Sequence, residues 1–120
     1  MNAKLEQAVA DRFEGARLFV YLETTAVITG NETLITDPDL DKLADRIQSG
    51  RVKYGEDRAG SCPDCRIGCM EHSIWIDGVY VGVLVGHGGR GGSCDRNHGI
   101  KFSLPYDESS VRNLLDWLRK

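Results

Sequence analysis

The sequence predicts a small α+β domain, an antiparallel sheet carrying about three helices, with a zinc knuckle at one end of a β-hairpin. Three observations predict it. Apolar residues recur at helical spacing near both ends of the chain and again over residues 38–49. Two β-rich runs flank Asp77-Gly78, the pair favoured in two-residue hairpin turns. The 4 cysteines all fall between positions 62 and 94. At 120 residues the chain has the size of one domain, residues 1–120, with a zinc-binding insert expected at about 60–98.

Each element has a local cause. Leu5, Val9 and Phe13 recur every fourth residue, with Ala8 filling the stripe, and predict a helix over 2–14 that Gly15 ends. Residues 17–23 alternate as a strand does, with Leu18, Val20 and Leu22 on one side. The β-branched runs at 26–29 and 33–36 flank Gly30-Asn31-Glu32 and predict a hairpin. Asp37-Pro38 reads as a helix start, an Asp cap followed by proline at the first helical position. Leu40, Leu43, Ala44 and Ile47 form the buried stripe of that helix, and Gly50 is its expected C-terminal glycine. Residues 51–54 suit a short strand, and 55–72 are expected to be irregular.

The run 73–85 around Asp77-Gly78 is the strongest local signal. It pairs Ile76 with Val79, Trp75 with Tyr80 and Ser73 with Gly82. Extending that ladder puts His72 opposite Val83 and Cys69 near Gly86. Residues 86–99 are glycine-rich and read as a loop. A third short strand follows at 100–104, stopped by Pro105. Asp107 or Ser109 then caps a last helix over 108–119, whose apolar face is Val111, Leu114, Leu115 and Leu118, flanked by Trp117. The helices are expected to pack mainly on one face of the sheet.

Composition bounds the function classes. Charged residues make up 28% of the chain and net charge is −3. The first fifty positions hold nine acids against five bases, unlike the strong positive field of a general nucleic-acid binder. No apolar run is long enough for a membrane helix, and the N-terminal stretch lacks the apolar core of a secretory signal. The expectation is a cytoplasmic protein, in which clustered cysteines are metal ligands before they are disulfides.

The candidate ligands are Cys62, Cys65, Cys69, His72, Cys94 and His98. The tight C-x2-C turn lets two thiolates converge on one ion, and zinc favours four tetrahedral N or S donors. Thiolate-rich sites are typical of structural zinc, so Cys62, Cys65, Cys69 and Cys94 are the expected set, with His72 and His98 as alternates. The spacing matches neither ferredoxin pattern for an iron–sulfur cluster. The Asp37, Asp39 and Asp41 run lacks the glycine and distal glutamate of a calcium loop and is explained by the helix dipole.

Arg90, Arg96 and Lys101 are candidate contacts for an anion or a partner. The expected function is that of a zinc-stabilised binding protein, an inhibitor, immunity or adaptor protein acting by protein–protein contact. One alternative is a nucleic-acid module using the basic glycine-rich loop, Arg66 and Trp75. The other is a metal-dependent HNH-like nuclease using His87 and His98. The run Cys94–His98 is similar to that chemistry, but Gly99 and a strand stand where its helix belongs.

Overall fold

The computed structural model describes residues 2–19, 35–56, 58–61, 68–86, 99–105 and 107–120. Its elements are α1 (Ala3–Arg12), β1 (Arg17–Phe19), α2 (Asp37–Ser49), β2 (Val52–Tyr54), β3 (Arg58–Ser61), β4 (Gly68–Ile76), β5 (Val79–Gly86), β6 (Lys101–Ser103) and α3 (Glu108–Leu118). The α+β class is as expected. The hairpin predicted over 26–36 falls largely outside the described residues. Its last two positions, Ile35 and Thr36, lead into α2.

The helices begin where polar side chains reach free N–H groups. The Asn2 side chain accepts a hydrogen bond from the Leu5 amide at 2.9 Å and starts α1. Thr36, not Asp37, caps α2. Asp39 sits at the third helical position and accepts from the Thr36 amide at 2.9 Å, closing a reciprocal capping box. Pro38 therefore stands one place further into the helix than expected. Asp107 caps α3 by accepting from the Ser110 amide at 3.0 Å.

Gly50 does end α2, but with φ of −80° rather than in the left-handed conformation. Glycine is needed there for room, since a Cβ would collide with Ile76 and the Arg46 carbonyl. The carbonyls at this helix end are met from outside by Arg12. Its guanidinium donates to the Ile47, Gln48 and Gly50 carbonyls at 3.0, 2.9 and 3.0 Å. Charge-assisted bonds at a helix C-terminus are stronger than neutral ones. Arg12→Ala is expected to cost about 1–2 kcal/mol in urea unfolding, and Arg12→Lys to recover little, because an ammonium lacks the fork.

One core joins the three described helices to the sheet. Leu5, Val9 and Phe13 from the first helical segment meet Leu43, Ala44 and Ile47 of α2. Ile74 and Ile76 of β4, Val81 of β5 and Phe102 of β6 complete it with Leu114 and Leu118 of α3. The Phe13 and Phe102 rings stack with centroids 5.3 Å apart. Burial of each such side chain stabilises the fold by roughly 1.5–3 kcal/mol.

The sheet runs β1-β6-β5-β4-β2, with β3 also paired to β4. It is mixed rather than purely antiparallel, because β1 pairs parallel with β6, Leu18 opposite Phe102. Periodicity finds strands but not the direction of partners so far apart in sequence. Residues 58–61 and 68–72 are strands, where irregular structure was expected. β3 is short and polar and carries no apolar alternation; it is held by pairing along β4. The β4–β5 hairpin turns at Asp77-Gly78, both at positive φ (50° and 83°), as a type I′ turn requires. Ile76↔Val79 and Trp75↔Tyr80 pair as expected. A bulge between Ile74 and Trp75 then shifts the register, so that Ile74 faces Gly82, Ser73 faces Val83 and His72 faces Leu84. The extra residue is on β5, which the simple ladder from the turn did not include.

Candidate binding cleft and metal-ligand segments

Strand alternation gives β4 two unlike faces. Ile74 and Ile76 point into the core, so Ser73 and Trp75 point the other way. Helix α3 is equally divided. Val111, Leu114, Leu115 and Leu118 are buried, which leaves Ser110, Asn113 and Trp117 at the flank of that stripe. These two flanks line a cleft of about 710 Å³, with Tyr80 and Arg58 from the sheet and Asp107 and Asp116 from the helix segment. Trp75 is 38% exposed. Its ring lies 5.5 Å from that of Tyr80, tilted by 55°. Trp117 carries the Arg46 guanidinium 5.4 Å above its ring. Arg58 is tied by its Nε to Glu71 Oε1 at 2.8 Å. Hydrogen bonding by Ser110 holds the Asp107 carboxyl below its ordinary range.

Such a cleft escapes sequence reading because its walls come from positions forty residues apart. The available signals were weak: an aromatic pair beside a tight turn and a tryptophan on the flank of an amphipathic helix.

The metal candidates fall mostly outside the described residues: Cys62, Cys65, Cys94 and His98 are all there. Cys69 lies in β4 with its backbone paired to Gly60. His72, partly buried in β4, meets the Tyr54 ring edge-on at 6.2 Å. Among the described residues no group of three or more His, Cys, Asp or Glu is arranged to hold a metal ion. The anchors of the ligand-bearing segments are described. Ser61 pairs with Gly68, so residues 62–67 close a short connection between β3 and β4. Gly86 pairs with Met70 and Lys101 with Val85, so the segment holding Cys94 and His98 leaves and rejoins the sheet at that same end.

Arg90 and Arg96 are outside the described residues, as are Arg66 and His87. Lys101 is described and is 1% exposed within β6, so its side chain is not at the surface where an anion contact was expected.

The most displaced carboxyl has a structural role. Asp39 is 4% exposed and receives two bonds from Arg119, Nε to Oδ1 at 3.0 Å and Nη2 to Oδ2 at 2.8 Å. Arg119 foremost, with the Thr36 capping bonds, holds Asp39 down at about 2 against burial, which opposes ionisation. A depressed carboxyl contributes stability above its unfolded value of 3.8, lost as pH falls through about 2. The contribution is about 2 kcal/mol. Asp39→Asn is expected to lower the unfolding free energy near neutrality, measured by urea titration, by that amount. The gap from the parent should close as pH is lowered toward 2; a gap independent of pH would rule out the ionic origin.

No family model, curated protein or solved structure matches the chain. Among the described residues no helix is long and apolar enough to cross a membrane.

Proposed function

We propose that this is a binding protein that acts by protein–protein contact, as an inhibitor, immunity or adaptor protein, with one structural zinc ion clamping an end of its sheet. The observation that carries the binding reading is the open cleft of Trp75, Tyr80, Trp117 and Arg58. Tryptophan, tyrosine and arginine dominate the energetics of protein interfaces, because each combines a large apolar surface with a directed polar group. Here they gather in a concave site between a helix and a sheet. The zinc reading is supported by the pairings Ser61↔Gly68 and Met70↔Gly86, which start both cysteine-bearing segments from one sheet end. Cys62, Cys65, Cys69 and Cys94 remain the favoured ligands, with His72 and His98 as alternates.

Immobilised protein is expected to retain a stoichiometric protein partner from extract of its source cells, in a complex that survives gel filtration. A salt-sensitive shift of duplex DNA or RNA, with no protein retained, would overturn the reading in favour of nucleic-acid binding. Burial of Lys101 removes one of the cations on which that alternative relies.

A further inference from the structure

We propose that this chain forms a two-fold dimer in which the open edge of β2 pairs antiparallel with β2 of a second copy, Tyr54 opposite Tyr54. The dimer goes beyond the protein-contact reading and does not depend on the cleft. Three features of the edge select a second copy as its occupant.

The first is a set of backbone groups that face outward. The Arg51 carbonyl accepts from the Asp77 amide at 3.0 Å, and the Gly55 amide donates to the Ser73 carbonyl at 2.8 Å. Residues 51, 53 and 55 therefore turn their backbone groups toward β4, and alternation turns those of Val52 and Tyr54 away from it. Among the described residues no strand lies on that side of β2, and no hydrogen bond engages those outward groups. Such a row of open N–H and C=O groups is a template for another strand.

The second is the side chain held there. Tyr54 is 51% exposed, more than any other large apolar side chain among the described residues. A second tyrosine directly opposite, with Cα atoms about 5.5 Å apart, covers that ring and forms an aromatic cross-strand pair.

The third is the register. A closed dimer has a two-fold axis, so β2 must meet its copy antiparallel. With Val52 and Tyr54 facing out, three registers centre on the strand. Val52 opposite Val52 sets Arg51 against Lys53, both basic. It also sets Tyr54 against Gly50, whose amide is bonded to the Arg46 carbonyl and whose carbonyl is taken by Arg12. Val52 opposite Tyr54 sets Lys53 directly against Lys53, which repels. Tyr54 opposite Tyr54 instead sets Lys53 against Gly55, beside Glu56 of the other copy, and Val52 against Glu56. Base then meets acid on both sides of the axis, and the outward groups of Val52 find partners. Registers further along meet the one-residue shift between the Gly55–Ser73 and Arg58–Glu71 pairs. The remaining charges at this edge are engaged. The Asp77 carboxylate accepts from the Arg51 amide at 3.0 Å, and Arg58 is bonded to Glu71 at 2.8 Å. Lys53 and Glu56 form no ion pair among the described residues. The strip buried is smaller than a standard stable interface, so the dimer is weak, with a dissociation constant in the micromolar range.

Sedimentation velocity of the native full-length protein over a wide concentration range tests this, with circular dichroism to check each variant's fold. The parent is expected to show a reversible monomer–dimer equilibrium, weakened by salt. Tyr54→Pro removes an N–H that faces away from β4, so it leaves the β2–β4 ladder intact and is expected to weaken the dimer tenfold or more. Lys53→Glu and Glu56→Lys should each weaken it by about fivefold, since each sets like charges across the axis. The double variant Lys53→Glu with Glu56→Lys restores opposite charges and should recover parent affinity to within about twofold. These two exposed positions decide the matter if Tyr54→Pro misfolds. A parent that stays monomeric at millimolar concentration overturns the proposal, as does an open-ended series of larger species. So does a dimer that Tyr54→Pro leaves as tight as the parent, or a double variant no tighter than the single ones.

Discussion

Replacing Cys62 and Cys65 together by serine is expected to remove one equivalent of bound zinc and to lower the melting temperature by about 15 °C, equivalent to about 4 kcal/mol for a chain of this length. Serine keeps the size and polarity of the side chain and removes the thiolate, so the change isolates metal binding. The physical case rests on what order costs. Residues 86–92 are glycine with His87 and Arg90, and hold no apolar side chain whose burial could offset the entropy of fixing them. A tetrahedral ion joining this segment to the 62–67 connection would supply that offset, because binding to a site absent from the unfolded chain adds directly to folding free energy. The anchors limit the span to be bridged: both segments start at paired positions of β4, Gly68 and Met70. Elemental analysis of native protein and thermal melts with and without a chelator check the prediction. The chelated parent should melt with the double variant, and the variant should ignore the chelator. Absence of zinc in the native protein, or an unchanged melt for the variant, would remove the clamp and leave the sheet end to be explained otherwise.

What the sequence revealed follows from the range of the interactions involved. The three helices were legible because a periodic stripe and its cap lie within one stretch of chain; Leu5, Val9 and Phe13 are sufficient for the first. The Asp77-Gly78 turn was legible because positive φ at two successive residues restricts composition locally. The misplaced cap of α2 is instructive. Asp37-Pro38 is a good start by residue type, but Thr36 three places before Asp39 allows two reciprocal bonds where Asp37 allows one. Strand β3 was invisible for a different reason. Its order comes from partners on β4, including the Arg58–Glu71 pair, and not from an apolar pattern of its own. The parallel β1–β6 pairing and the aromatic cleft share one cause of illegibility. Each joins segments whose contact depends on how the whole sheet is wound, and nothing in either segment alone specifies the other. Asp39 shows the same limit. Its acidity reads as favourable charge at a helix start, yet its main partner, Arg119, lies eighty residues away.

Gly82→Ala is expected to destabilise the protein by about 3 kcal/mol, lowering the melting temperature by about 12 °C, although it adds one methyl group. The bulge explains why. Val81 and Gly82 sit where β5 carries one residue more than β4, and Gly82 absorbs the mismatch with φ of +154°. A side chain there is strained by its own backbone, and its Cβ would run into the Ser103 carbonyl oxygen and come within 3.1 Å of the Phe102 ring. Neither neighbour can yield easily. The carbonyl belongs to β6, and Phe102 is buried and stacked on Phe13. Among the described strands β1 is joined to the sheet through β6, so a shift of β6 also disturbs the Leu18–Phe102 register and the contact of α1 with the core. Gly78→Ala separates the two components. Gly78 also has positive φ, at 83°, but a Cβ there meets no atom within 4 Å. That variant carries backbone strain alone and should cost about 1 kcal/mol. The difference between the two in urea unfolding measures the collision. If Gly82→Ala melts no lower than Gly78→Ala, the close approach of β5 to β6 at the bulge is wrong, and with it the register that sets His72 opposite Leu84 and Met70 opposite Gly86.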